Sequence, residues 1–243
     1  MPNTGTITGL NPATDHVLDA VHVDDWGNMS AVVSSAKFKT DAAPTTDVDS
    51  SFTAFASGTS GTFSSQSVGT AAANRAVYAF VASANGEEPT ECTIDGVPAT
   101  LVTFQQVLGF TGENITVWRA ALPTGTSADF VISGGTATNY GLAVAAVYGK
   151  AVVGDAIKAS NNSGNDLDLS ADVATGDDVL GAAFARNGDE WSWIGLTEYD
   201  SGDIRSNEHF SVALATAVTA ATPRTITAVT GAGSTAGVTL VLR

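Results

Sequence analysis

Residues 75–82, Arg-Ala-Val-Tyr-Ala-Phe-Val-Ala, run into an acidic loop, Asn85-Gly-Glu-Glu88. The pattern returns at 178–185, Asp-Val-Leu-Gly-Ala-Ala-Phe-Ala, followed by Asn187-Gly-Asp-Glu190. Working outward, Ser60-Gly61 and Ser163-Gly164 open two parallel stretches, with Val68 and Val173 following each. Glu113-Asn-Ile-Thr-Val-Trp118 aligns with Asn207-Glu-His-Phe-Ser-Val212, and Phe130–Gly134 with Ile226–Gly231. A last apolar run, Gly141–Val147, matches Gly237–Leu242. The offset stays at roughly 95–105 residues, too long for a solenoid repeat and right for a duplicated half-sandwich. Residues 60–149 and 163–243 therefore read as two degenerate copies of one β-rich unit.

Composition supports that class. Small and β-branched residues between glycine-rich turns suit short, closely packed strands and suit long helices poorly. A chain of 243 residues buries roughly 70% of its unfolded surface, enough for a core without disulfides or metal. The lone Cys92 in Glu91-Cys-Thr-Ile94 has no internal partner, and alternation makes it a small apolar strand residue. The chain carries 10 Lys+Arg against 25 Asp+Glu, a net charge of −15. Clustered cations, which displace counterions from phosphate, are missing, so nucleic acid and anionic membrane surfaces are excluded as partners. No run is long and apolar enough to span a bilayer as a helix, and the N-terminal stretch lacks the pattern of a secretory signal.

Residues 1–50 carry seven Asp and two Lys with scattered apolar positions, interrupted by Pro12 and Gly27. They read as an extended N-terminal arm, with Ala31-Val-Val33 a candidate edge strand and residues 51–243 forming the sandwich. Strands are predicted near 77–81, 91–94, 99–107, 114–121, 127–133 and 139–148. In the second half they fall near 167–173, 179–185, 193–199, 209–218, 224–229 and 238–242. Asp95-Gly96 between two β-prone runs predicts a type I′ hairpin, and Leu122-Pro-Thr-Gly125 predicts a strand break. Tyr140, Leu142, Val144, Ala146 and Tyr148 alternate with Gly141, Ala143, Ala145 and Val147, so neither face of that strand is polar. It must be covered on both sides, by the opposing sheet and by another subunit or the arm.

Few residues suggest chemistry. His16 and His22 lack a third ligand at useful spacing, and His209 has no nucleophile motif nearby. Asp24-Asp25, Asp177-Asp178 and Asp189-Glu190 are adjacent acids, which point to opposite faces of a strand and fit turns better than a glycosidase pair. Asn165-Asp166-Leu-Asp168 and Asp200-Ser-Gly-Asp203 offer oxygen ligands without completing a calcium loop. Trp191-Ser-Trp193 sets two indoles on one face, either as a sugar-stacking platform or as packing. No catalytic, cofactor or metal site emerges.

Asn74–Ala82, Ile94-Asp-Gly-Val-Pro-Ala-Thr-Leu-Val102, Ile115–Gly125 and Phe130–Ile132 resemble the jelly-roll-like sandwich domains of tailed-phage virion proteins. The resemblance covers about residues 60–243 and implies an all-β, jelly-roll-like antiparallel β-sandwich built from two quasi-repeated halves. It implies a non-enzymatic structural protein of the virion, assembled in the host cytoplasm: a capsid decoration or cement protein that contacts other virion proteins and forms a homo-oligomer, preferably a trimer. Val21, Val23 and Trp26 of the arm become candidate docking residues, and Gly141, Ala143 and Ala145 candidate oligomer contacts. The alternative is a tail- or fibre-associated module that binds host glycan on Trp191 and Trp193.

Overall fold

A computed structural model describes residues 15–20, 34–39, 47–51 and 60–243, apart from 163–165, 188–189, 206 and 232. The described residues contain strands and no helix, as the composition requires. The chain divides into two compact units, 1–44 and 45–243. In the first, β1 (Asp15–Ala20) pairs antiparallel with β2 (Ser34–Lys39), Asp15 opposite Lys39. Ala31–Val33 lies outside the described residues.

The second unit begins earlier than the sequence suggests. Strand β3 (Asp47–Ser51) adds to a five-stranded sheet beside β11, with Val48 opposite Ala145, so the last residues of the expected arm belong to the sandwich. The first half continues with β4 (Gly61–Ser67), β5 (Arg75–Ala84), β6 (Glu91–Ile94), β7 (Val97–Pro98), β8 (Thr100–Gln106), β9 (Asn114–Ala121), β10 (Ser127–Ser133) and β11 (Asn139–Tyr148). These form sheets of order β3-β11-β5-β9-β8 and β4-β10-β6-β7. Asp95 and Gly96 both take positive φ, 52° and 75°, between Ile94 and its partner Val97. That is the expected hairpin geometry.

The second half comprises β12 (Ile157–Asn161), β13 (Asp166–Asp168), β14 (Ala171–Val173), β15 (Asp178–Arg186), β16 (Ser192–Ile194), β17 (Thr197–Arg205), β18 (Glu208–Ala215), β19 (Ala221–Arg224), β20 (Thr227–Val229) and β21 (Ser234–Leu242). Its five-stranded sheet runs β12-β21-β15-β18-β17, and β13-β20-β16 with the pair β14-β19 faces it. Strand for strand, β3-β11-β5-β9-β8 maps onto β12-β21-β15-β18-β17, and β4-β10-β6 onto β13-β20-β16. The repeat is real in topology, and each copy is a complete two-sheet sandwich rather than half of one.

Three cores follow. One fills the first sandwich around Phe63, Val77, Val81, Phe130, Ile132 and Leu142. A second fills the other sandwich around Leu167, Leu169, Val179, Ala183 and Ile226. The largest lies between the two five-stranded sheets, where Tyr78, Phe80, Val117 and Val147 meet Leu180, Phe184, Phe210 and Leu240. Every one of the ten residues of β5 is buried, because its two faces belong to different cores. Each fully buried large side chain contributes about 1.5–3 kcal/mol, so the central layer joins the sandwiches firmly. Strand β8 lies against β21 and β17 against β11, so these equivalent strands of the two copies exchange partners across the central core.

The structural register of the repeat differs by one residue from the sequence alignment. Both β8 and β17 carry a bulge, between Leu101 and Thr103 and between Glu198 and Asp200. Superposing the bulges sets Trp118 on Ala213, Val117 on Val212 and Glu113 on Glu208. The alignment read from the sequence set Trp118 on Val212. A one-residue slip turns every side chain to the opposite face of a strand, and only the structural register puts Val117 and Val212 in the same core. Arg75 and Asp177 agree with it, since their backbone N–H groups bond to Ala72 O and Ala174 O in matching turns.

Candidate functional site

The residues singled out as an oligomer contact are interior. A Cβ on Gly141 would lie 2.3 Å from Ile204 Cγ2 of the other sandwich, and Ala143 and Ala145 are fully buried in the central core. The second apolar face of β11 is thus covered by the chain's own second half, and no further subunit is required there. Val21, Val23 and Trp26 lie outside the described residues, as do His22, Asp24, Asp25, Asn165 and Asp189.

The indole pair is not a stacking platform. Trp191 is 4% exposed within the second sandwich core and donates its Nε1–H to the His209 carbonyl at 3.3 Å. Trp193 packs against that core, its ring edge filling the space a Cβ on Gly181 would take, and donates to Ser211 Oγ at 2.9 Å. With Trp191 buried and Trp193 half-buried and bonded inward, the two rings do not form a paired exposed surface for a sugar.

The acids and the histidine are engaged within the fold. Asp177 is 1% exposed; its carboxylate accepts two bonds from the Arg243 guanidinium, 2.9 and 2.8 Å, and one from Ala174 N–H, 2.8 Å. These bonds, Arg243 foremost, hold its carboxyl below the usual range. Since Arg243 also exchanges both backbone bonds with Ala151, the strand end is pinned. Asp178 meets Lys150 Nζ at 2.7 Å and accepts from Ala217 N–H. His209 Nδ1 lies 2.9 Å from Asp203. Asp200 and Asp203 sit in β17 opposite Val212 and His209, not in a loop, and Asp168 caps Ser170 N–H. His16 lies in β1 opposite Phe38. Cys92 is buried, which pushes its thiol up to about 12 and leaves it unreactive at neutral pH.

Two arrangements escaped the sequence reading. Arg75 is 2% exposed, and its guanidinium donates to Leu122 O, Gly69 O and Thr124 O at 2.7, 2.9 and 2.6 Å, tying three loop segments to the start of β5. Its counterpart in the other sandwich is Asp177, which ties its own corner with the opposite charge. Only a single cation ahead of an apolar run signals this in the sequence.

The other is a charged cluster at the seam. Glu113 is 5% exposed and Glu208 1%. Arg186 reaches Glu113 at 3.5 Å and lies 4.1 Å over the Phe110 ring. Arg205 reaches Glu208 Oε1 at 2.6 Å, while Glu208 Oε2 is buried without a hydrogen-bond partner among the described residues. Burial, with the Glu113 charge adding to it, pushes the Glu208 carboxyl up against the pull of Arg205. The slipped alignment paired Glu113 with Asn207 and so hid that the two glutamates are equivalent.

A groove of about 680 Å³ separates β8, at Val102, Thr103 and Phe104, from Asp155–Lys158 ahead of and into β12. A smaller one of about 330 Å³ lies beside Cys92, Pro98, Ala99 and Trp118. Neither gathers the convergent polar groups that orient a small substrate. No family model, curated protein or solved structure matches this chain.

Proposed function

We propose that this chain is a non-enzymatic structural protein of a tailed-phage particle, a capsid decoration or cement protein that sits on the shell among other virion proteins. The observation that carries this reading is the use of the charged and aromatic side chains. Asp177, Asp178, His209 and Trp191, the residues from which a catalytic or glycan site would be built, each clasp one part of the body to another. Two sandwiches joined through a third core make a cohesive block suited to bearing load on a particle surface. The compact 1–44 unit, distinct from that block, is the candidate for docking on the shell. With the Gly141 face buried, a trimer or other homo-oligomer would form through the outer sheets or the N-terminal unit. The acidic balance favours solubility of the displayed surface.

The test compares particles produced with the gene intact and with it deleted, by mass spectrometry and cryo-EM. The proposal expects the chain at stoichiometric copy number and surface density that disappears on deletion. Particles that lack the chain in the wild type would overturn it.

A further inference from the structure

The glutamates at the seam occupy equivalent positions in the two copies, and both are at least nine-tenths buried. Glu113 bears electrostatically on Glu208, and like charges set together cost free energy unless cations or protons intervene. The charged groups that face Glu208 are Arg205 from β17, Arg186 from β15 and Glu113 from the turn before β9; the Asp203–His209 pair lies alongside on β17 and β18. Both guanidiniums are partly in solvent, 30% and 37% exposed, so their compensation is screened. Arg205 serves Oε1 only, and Oε2 of Glu208 faces inward with no donor among the described residues. A proton on that carboxyl turns the orphaned oxygen into a group able to donate, and Glu113 is the carboxylate that bears on it.

We propose that Glu208 holds a proton beside the Glu113 carboxylate, making the seam between the sandwiches pH-sensitive: tightest while the proton is held, looser once Glu208 ionises. The proton leaves to solvent, and no other bond changes. The moving part is the turn Val107–Glu113, closed by Val107 N–H to Glu113 O at 2.9 Å and clipped to the second sandwich through Glu113 and Phe110 on Arg186. The direction follows from linkage. A carboxyl raised in the folded state binds its proton more tightly than in the unfolded chain, so stability is greatest on the acidic side and falls as pH rises through the folded value.

The experiment measures hydrogen-exchange protection of the Val107 and Phe110 amides in the full chain between about pH 5 and pH 8. Wild type is expected to lose protection about tenfold per unit by which the carboxyl is raised, with Glu208→Gln pH-independent in that window. An identical pH dependence in E208Q would overturn the proposal. Because that variant could fail to fold, carbon-13 NMR of the wild-type glutamate carboxyls provides a second reading. One seam carboxyl titrating above the ordinary glutamate range supports the pair, and both titrating within or below it contradicts it.

Discussion

Trp118 and Trp193 donate their indole N–H groups to the same hydroxyl position of the repeat from different strands. Trp118 bonds Thr116 Oγ1 at 2.9 Å within β9; Trp193, on β16 of the facing sheet, bonds Ser211 Oγ at 2.9 Å. Thr116 and Ser211 coincide once the bulges of β8 and β17 are superposed, and Ala213 then stands where Trp118 is. Each sandwich therefore fills one site with one indole, and the strand that supplies it has changed. Cores accept such exchanges when volume and polar pairing are kept.

The tryptophans should accordingly report on folding. Trp191→Ala removes a buried indole and is expected to cost about 3–5 kcal/mol in denaturant unfolding. Trp193→Phe, losing mainly one hydrogen bond, should cost about 1 kcal/mol. A double-mutant cycle of Trp193→Phe with Ser211→Ala should show coupling. Unchanged stability in Trp191→Ala would contradict its place in the core.

Much of this architecture was legible in the sequence, and the exceptions have physical causes. Strands β6, β9, β10 and β11 begin and end where alternation and turn residues place them, because Asp95-Gly96 and Pro123–Gly125 punctuate them. Strands β3 and β4 were missed as strands because their Ser- and Asp-rich stretches lack an apolar stripe; their pairing comes from the neighbours β11 and β10. The double-faced apolar pattern of β11 correctly demanded two covering surfaces, but the pattern cannot say whose they are. The one-residue slip arose because Ala and Val occupy both faces of β5 and β15, leaving no polar side to fix the register.

Arg75 offers a second test. Arg75→Leu deprives Leu122, Gly69 and Thr124 of their donors in a mostly buried setting. A loss of about 2–4 kcal/mol is expected, since orphaned buried carbonyls carry their full desolvation cost. Arg75→Lys, a single ammonium unable to span three acceptors, should recover only part of it. Thermal or urea unfolding decides; equal stability of Arg75→Leu and wild type would refute the clasp.

Asp177 predicts a pH dependence of opposite sign to that of Glu208. Its folded-state carboxyl lies below the usual value, so its stabilising contribution is complete above the ordinary carboxylate value of about 3.9. That contribution disappears as pH falls through the lowered folded value. The stability difference between wild type and Asp177→Asn should be constant near neutrality and shrink under strongly acidic conditions. A difference that grows with acidification would contradict the Arg243 pairing.

Truncation separates the 1–44 unit from the body. Deleting residues 1–44 should leave a cooperatively folded protein that no longer attaches to particles. Deleting 1–50 should lower its stability further, because β3 is removed and the β11 edge loses its ladder partner, at about 0.5–1.5 kcal/mol per hydrogen bond. Equal melting of the two truncations would show that β3 contributes nothing to the sheet.

The two sandwiches of one chain share a core across which Gly141 faces Ile204. A Cβ at Gly141 would stand 3.6 Å from Ile204 Cβ, within the roughly 3.5–4.5 Å that a disulfide spans. The most direct measurement is mass spectrometry of the Gly141→Cys, Ile204→Cys protein, with Cys92→Ser, after mild oxidation. An intramolecular disulfide linking the two halves is expected, formed in the folded monomer at high yield. Free thiols at both positions, or cross-links only between separate chains, would contradict it.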